Sequence, residues 1–465
     1  MAARFPQSQV TRRPGNFNTQ EEREILMVHR CTRSRAACLT LILAIVLVPG
    51  GLRAAAPPPT DVNGRLFEVQ KVRVLRIWGT PRQRGYAHGY LLAKDIIGVL
   101  QCFVSKTSLS GGVAGYEQAM QFTARAMEIA PAYEAELRGI LAGVEARLGK
   151  RTIVPALQRK LRYEDLVTIN CIPDFGKIGC SSFAAWGTLT RKGHTIAGRN
   201  LDWRRGKGLA KRQIAIAHIH PPNSGAVDWL SITWPGFIGC LTGMNAEGVT
   251  VSMHDAEGGP PAMQQGFIPR AFTLRDAIEA AHAKTAKDDV AAVLRARPCA
   301  VGNIIPVAVP HRALRPAAWV FEYDGRLDKD GGVTVRSAKA EPGDGADALQ
   351  SADCLACTND YRLRAEVVPS RRYEKIAYRL NVLAKNERVL NVKGAWQILR
   401  SIAKPRKEDA RLTTYHSVVF EPNLLRLQVA FSKRGRGAPA SRPVELDIAK
   451  LLKPEPTAAG HVTQH

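Results

Sequence analysis

The apolar positions of this chain keep three different rhythms. The first is an unbroken run at residues 36–48, set behind Arg30, Arg33 and Arg35 and closed by Pro49-Gly50-Gly51. That run is shorter than the ~20 residues that cross a bilayer. It suits the core of a signal peptide, and Ala54-Ala55-Ala56 offers small residues for its removal. Met27 is an alternative start for this leader. A retained membrane anchor is the rival reading of the same run.

The second rhythm is helical. After Pro57-Pro58-Pro59 comes a strand-like stretch, "VRVLRIW", then a Gly-punctuated turn and a helix expected from about Gly85. Apolar residues recur at helical spacing through "YEQAMQFTARAMEIAPAYEAELRGILAGVEARLG", on both sides of Pro131, and again in "YEDLVTINCIPDF". Residues 60–178 therefore read as mostly helical.

At Cys180 the period drops to two. "SSFAAWGTLT", "HTIAGRNLDW", "RQIAIAHIHP", "DWLSITWPG" and "GVTVSMHDA" are short strands parted by Gly, Pro and Asn turns. Helices at "TLRDAIEAAHA" and "KDDVAAVLRAR" follow, then strands at "AAWVFEYDG" and "GGVTVRSAK" and a polar loop. Two more helices, "SRRYEKIAYRLNVLAKN" and "NVKGAWQILRSIA", precede a closing strand pair, "TYHSVVFEPNLLRLQVAF". Strands, a helical pair and strands again predict a layered α+β domain. The expected division is a leader at 1–56, a helical segment at 57–179, the α+β domain at 180–432 and a loosely ordered, basic, Pro-rich tail at 433–465.

Composition adds two constraints. With 465 residues, 45% of them hydrophobic, the chain can bury a large core. Its net charge of +25 favours anionic partners. Zinc-finger spacing, aromatic-basic RNA motifs and dense basic helices are lacking, so nucleic acid is not the expected partner and the charge reads as a solvated, Arg-rich surface of an exported protein. Cys31 and Cys38 would leave with the leader. Cys102, Cys171, Cys180, Cys240, Cys299, Cys354 and Cys357 remain, an odd number that permits a nucleophilic thiol. Cys354 and Cys357 form an isolated Cys-x-x-Cys without further zinc ligands, read as a disulfide or a pair of thiols. His218 and His220 share one strand face with no evident partner and read as strand-surface histidines.

Cys180, in "GCSSFAAWG", carries the candidate chemistry. A thiol of pKa near ~8.5 needs a base or cation to become an effective nucleophile. His254 or His416 could supply one in space. A cut between Gly179 and Cys180 would supply another, because the liberated α-amine titrates near ~7.7–8.0 and can take and return the thiol proton. Glycine at 179 leaves room for the thiol to attack the preceding carbonyl. The bland alternative is a buried structural cysteine.

"GCSSFAAWG…GRNLDW" resembles the N-terminal-nucleophile hydrolases, in particular the aminopenicillanic-acid (isopenicillin-N) acyltransferase family, related to choloylglycine hydrolases and acid ceramidases. "GTPRQRGYAHG", "ELRGILAGV", "DLVTINCIPDF", "LTGMNAEGVTVSMHDA", "CTNDYRLRAEVVPSRRYEKI" and "TYHSVVFEP" resemble further family blocks in the expected order. The resemblance implies an αββα sandwich, self-cleavage at Gly179–Cys180, two associated chains and no metal or organic cofactor. It implies that Cys180 is the nucleophile, that Arg199 favours its thiolate, and that Asp202 holds its α-ammonium. Asn359 is matched to an oxyanion-stabilising asparagine and Arg371 to an arginine near the nucleophile, with Arg372 the adjacent alternative.

His254 and Asp255 fall in the block lining the other side of the pocket. Relatives often carry Asn at the position of His254, which leaves the second oxyanion donor open. "TND" stands where many members read Thr-Asn-His. Arg199 and Asp202 lie three apart and would face opposite sides of a strand, so a shared site calls for a bend near Asn200-Leu201. The implied substrate is a small-molecule N-acyl amide, with water as acceptor. The rivals are a non-catalytic binder on this fold, with Cys180 never released, and a metal- or nucleic-acid-dependent protein using the basic surface.

Overall fold

Two strands open the folded part of the chain, β1 (Gly64–Val69) and β2 (Val72–Trp78), joined through Gln70 and Lys71 at positive φ. Helix α1 (Pro81–Val104) starts earlier than its apolar pattern suggests, because Thr80 caps it. The Thr80 N–H donates to Gln83 Oε1 at 2.9 Å, and Pro81 occupies the first turn, where no N–H is needed. The computed structural model describes residues 62–454 except 106–110, 176–178, 205, 207, 257–265, 298, 300, 313–315, 326–329, 339–347, 366, 405–411 and 434–435. The leader lies outside the described residues. Among those described, no helix is long and apolar enough to cross a membrane.

Helices α2 (Val113–Ala126) and α3 (Pro131–Leu148), the small pair β3 (Ile153–Val154) and β4 (Arg159–Lys160), and α4 (Tyr163–Cys171) lead to Gly179. Then come β5 (Gly179–Gly187), β6 (Gly193–Arg204), β7 (Ile214–Ile219), β8 (Trp229–Thr233), β9 (Thr242–Asn245), β10 (Thr250–Ser252) and β11 (His254–Asp255). Helices α5 (Arg270–Ala280) and α6 (Ala286–Arg295) precede β12 (Asn303–Ala308), β13 (Ala318–Tyr323), β14 (Val333–Arg336) and β15 (Cys354–Cys357). The chain ends with α7 (Arg371–Lys385), α8 (Val392–Ile402), β16 (Leu412–Glu421), β17 (Arg426–Phe431), β18 (Val444–Asp447) and α9 (Ile448–Leu451).

The strands form two large sheets. One has ten strands, ordered β1-β2-β7-β8-β9-β10-β12-β13-β14 with β11 also on β12. The other has six, ordered β15-β5-β6-β16-β17-β18. Alternation sorts the side chains of the smaller sheet. Cys180, Ala184, Leu201 and Val418 pack inward, toward the face of the larger sheet that carries Ala217, Leu230 and Met244 beside Thr242. Phe183, Ala185, Ile196 and Val419 pack outward against Ile376, Leu380, Trp396 and Leu399 of α7 and α8. On the far face of the larger sheet, Asn245 Nδ2 donates to the Ile278 and Ala281 carbonyls of and just after α5. The result is the expected α+β architecture, a four-layer αββα sandwich.

Two expectations need correction. The segment before Cys180 is mostly helical, as expected, but it is not a separate attachment. It supplies β1 and β2 to the ten-stranded sheet, β2 running parallel to β7. Asn170 of α4 grips the loop after β8 from both sides, donating to the Gly236 carbonyl at 2.9 Å and accepting from Ile238 N at 2.8 Å. His88 of α1 accepts from Gly236 N at 2.9 Å. All described residues accordingly belong to one compact unit. The tail does not trail away at Lys433 either: β18 pairs with β17, and Leu446, Ile448 and Leu451 are buried. Strands β9, β12 and β15 carry no polar-apolar alternation because both their faces are covered, so period alone does not reveal them.

Candidate active site

Cys180 is the second residue of β5, fully buried, with its side chain between the sheets. Pairing with β6 sets Gly179 opposite Asp202, Cys180 opposite Leu201 and Ser182 opposite Arg199. Arg199 therefore shares the inner face with Cys180, and Asp202 stands on the outer face. The β5–β6 register is continuous here, and the irregularity beside Leu201 and Asp202 is a register shift on the β16 side, between Thr414 and His416. The site straddles the strand, with the sulfur's partners on one face and the backbone's partners reaching it from the other.

On the inner face, Arg199 Nη2 donates to Cys180 Sγ at 3.2 Å and to the Met253 carbonyl at 2.7 Å. Its Nη1 donates to the Leu241 carbonyl at 2.8 Å and to Thr242 Oγ1. The Cys180 thiol donates to the same Met253 carbonyl at 3.2 Å. Burial, augmented by Asp202 and Asp255 and opposed by Arg199 and Arg372, pushes the thiol up to about 11. Arg199 thus acts in the expected direction but is outweighed by burial, and in this uncut chain the thiol holds its proton at neutral pH.

On the outer face, Arg372 is the organising cation. Its Nη1 donates to the Cys180 carbonyl at 2.6 Å and Ser181 Oγ at 3.0 Å, and lies 3.4 Å from Asp202 Oδ2. Its Nη2 donates to Asn359 Oδ1 at 2.8 Å. Arg371 sits one residue away on the exposed side of α7. Of the two adjacent arginines it is Arg372, the alternative, that reaches Cys180, and the reason is helical period: residues four apart share a face, and Ile376 and Leu380 are the buried ones. Arg371→Ala is expected to leave activity within about twofold, as surface changes usually do. Arg372→Lys cannot reproduce this fork and is expected to lower kcat by at least about tenfold, the scale of one charged hydrogen bond. Steady-state kinetics of the two variants side by side check this.

Asp202 is fully buried. Burial raises its carboxyl, against the pull of Arg372 and a 2.5 Å bond from Thr414 Oγ1, its neighbour across β16. Asn359 accepts from Cys180 N at 2.8 Å through Oδ1, while its Nδ2 donates to the Asp255 carbonyl at 2.7 Å. In the uncut chain its amide nitrogen is thus committed to Asp255, and its oxygen is what meets Cys180. Asp255 itself pairs with Arg270 at 2.7 Å.

Neither histidine considered as a partner bonds the sulfur. His254 Nδ1 donates to the Thr358 carbonyl at 3.0 Å, which leaves Nε2 to accept from Ser182 Oγ at 2.8 Å. Its one N–H is spent, so the ring supplies no second oxyanion donor here. His416 Nε2 meets Thr242 Oγ1 at 2.9 Å and reaches Cys180 only through Thr242 and Arg199. Burial holds both rings well below the usual histidine range, so both are neutral. Ser182, Thr242, Met253 and Thr414 were not singled out in the sequence; their roles arise from pairings between distant strands.

The remaining motifs resolve structurally. Cys354 and Cys357 lie on opposite faces of β15, so the disulfide does not form. His218 stacks on Trp229 with ring centroids 4.3 Å apart. His220, contrary to expectation, has acidic partners: Asp228 at 3.2 Å and Glu279 at 3.1 Å. Among the described residues no three His, Cys, Asp or Glu side chains converge as a metal site.

No family model matches the chain. Protein dcd1B of Dictyostelium discoideum is 24% identical over 232 residues, 47% of this chain and 46% of that protein. Protein dcd1A of the same organism is 22% identical over 239 residues, 46% of this chain and 52% of that protein. The chain spans about half the length of these curated relatives. Among solved structures, an N-acylethanolamine-hydrolyzing acid amidase ortholog of Caenorhabditis elegans is similar at TM-score 0.39 and 19% identity, covering 53% of this chain and 94% of that one. A conjugated bile acid hydrolase of Clostridium perfringens is similar at TM-score 0.38 and 10% identity, covering 59% and 95%. A penicillin V acylase of Agrobacterium tumefaciens is similar at TM-score 0.34 and 11% identity, covering 54% and 83%.

Proposed function

We propose that this chain is an exported, self-activating N-terminal-nucleophile amidohydrolase of the aminopenicillanic-acid acyltransferase kind. It cuts itself between Gly179 and Cys180 and then cleaves small N-acyl amides through a thioester on Cys180. One observation carries the reading: N, O and Sγ of Cys180 are each held by a separate polar group, and neither partner of the sulfur is a base. A cysteine held in this way needs its base from its own backbone, and only a cut before it makes that backbone nitrogen basic.

In the first stage Sγ attacks the Gly179 carbonyl carbon, the Gly179–Cys180 C–N bond breaks, the thiol proton passes to the departing Cys180 nitrogen, and the acyl chain moves to sulfur as a thioester. Water then hydrolyses the thioester, releasing the Gly179 carboxylate and the thiol. Glycine suits the position, since a Cβ there would lie 3.3 Å from Asp202 Cβ. In the second stage the new amine accepts the thiol proton as sulfur attacks the substrate's acyl carbon, and it returns that proton to the departing amine. Water ends the cycle by freeing the acid. Asp202 and Asn359 flank the nitrogen, and Arg199 supports the sulfur's charge. The fragments stay together because β2, His88 and Asn170 are built into the rest of the fold.

The substrate class is tested by offering the cleaved protein N-acyl amides of graded chain length and following amine release. Hydrolysis that stops when Cys180 is alkylated is expected. A correctly cut protein that hydrolyses none of them, yet binds one, would make this a non-catalytic binder.

A further inference from the structure

Arg270, the first residue of α5, is buried to 1% exposure and touches both the segment leading to the proposed cut and the pocket wall. Toward the leading segment, its Nη2 donates to the Pro173 carbonyl, its Nε lies 3.5 Å from Asp174 Oδ1, and its backbone N–H donates to that same oxygen at 3.3 Å. Toward the pocket, its Nη1 lies 2.7 Å from Asp255 Oδ1 and donates to the Gly302 carbonyl and Asn303 Oδ1, each at 3.1 Å. Asp255 in turn accepts Asn359 Nδ2, and Asn359 accepts the Cys180 N–H. One guanidinium therefore links a point five residues upstream of Gly179 to the amide that grips the nucleophile's own nitrogen.

The cost of assembling this link is visible in Asp174. Burial pushes its carboxyl up to about 6 against the pull of Arg270, and its Oδ2 has no hydrogen-bond partner among the described residues. A buried carboxylate placed at such a cost, on a segment the second stage of the reaction does not use, calls for a role in the first stage.

We propose that Arg270, through Asp174, is a positioning residue for self-cleavage: it fixes the arriving chain and the Asp255–Asn359 clamp in one frame so that the Gly179 carbonyl meets Cys180 Sγ. This rests on the self-cleavage reading and separates its two stages. Asp174 serves the cut alone, and Arg270 serves both the cut and, through Asp255, the finished site.

The test uses full-length protein, with Asp174→Asn, Arg270→Lys and Arg270→Gln beside the wild type. Cleavage half-time is read by intact mass, kcat and KM are read per cleaved molecule, and melting temperature is read for each. Asp174→Asn is expected to slow cleavage by at least about tenfold, the scale of one lost charged hydrogen bond, while kcat and KM per cleaved molecule change by less than about twofold. Arg270→Gln is expected to lose more in both stages, with Arg270→Lys between. Normal cleavage in Asp174→Asn overturns the proposal. So does a loss in which cleavage, turnover and melting temperature all fall in proportion, since that is a structural role. An uncut wild-type chain is a different result: it removes the self-cleavage reading itself.

Discussion

Replacing Cys180 with alanine is expected to yield a chain that stays whole and hydrolyses no amide. On the proposed mechanism the same sulfur attacks the Gly179 carbonyl and, later, the substrate, so one substitution removes both events. The turnover loss should reach roughly 10⁶-fold, the scale seen when a nucleophile is deleted. Stability should change little by comparison, because the vacated space is one sulfur atom. Arg199 keeps its bonds to the Met253 and Leu241 carbonyls and to Thr242. Intact mass, activity and a melting curve on one preparation check the three statements together. Cys180→Ser sharpens the point: a hydroxyl ionises far less readily than a thiol, so slow residual cutting is expected rather than none.

Asp202→Asn has the next largest expected effect. The carboxylate receives Thr414 Oγ1 and faces Arg372, which also holds the Cys180 carbonyl. On the proposed mechanism the cut makes the group opposite Gly179 the counter-charge of a new α-ammonium. An amide of the same shape keeps the packing but supplies no charge, so the amine is a weaker base and Arg372 loses its ionic partner. The expected fall in kcat is about 10²–10⁴-fold, the usual worth of a general base, with a smaller change in KM. In the uncut chain burial raises the Asp202 carboxyl above the ordinary aspartate range; an α-ammonium placed beside it by the cut would favour its carboxylate and pull it back down.

How much of this was legible in the sequence depends on what each feature rests on. Local pattern places Cys180, Arg199 and Asp202 on two adjacent strands joined by a tight turn, but it was the family resemblance that singled out Arg199 and Asp202. Thr414, Thr242 and Met253 enter through pairings of β16, β9 and the link between β10 and β11, which no local pattern encodes. Arg371 and Arg372 show the intermediate case. The apolar period of α7 points to 372, and reading that period alongside the motif distinguishes the two. The opposite-face argument for Arg199 and Asp202 holds, since a residue can be held from both faces of its strand, and the irregularity beside them is the register shift between Thr414 and His416 of β16. Burial was the least legible property. The sequence suggests a cation easing the thiol toward ionisation, whereas the buried, uncut site keeps it protonated. On this account desolvation keeps the thiol protonated before the cut, and the α-amine that the cut makes is the base of the second stage only.

The most direct measurement is the intact mass and N-terminal sequence of the purified wild-type protein beside Cys180→Ala. The account predicts two wild-type fragments, the larger beginning at Cys180, and a single chain spanning that bond in the variant. A fully active wild-type protein in which Gly179 and Cys180 remain joined would contradict it.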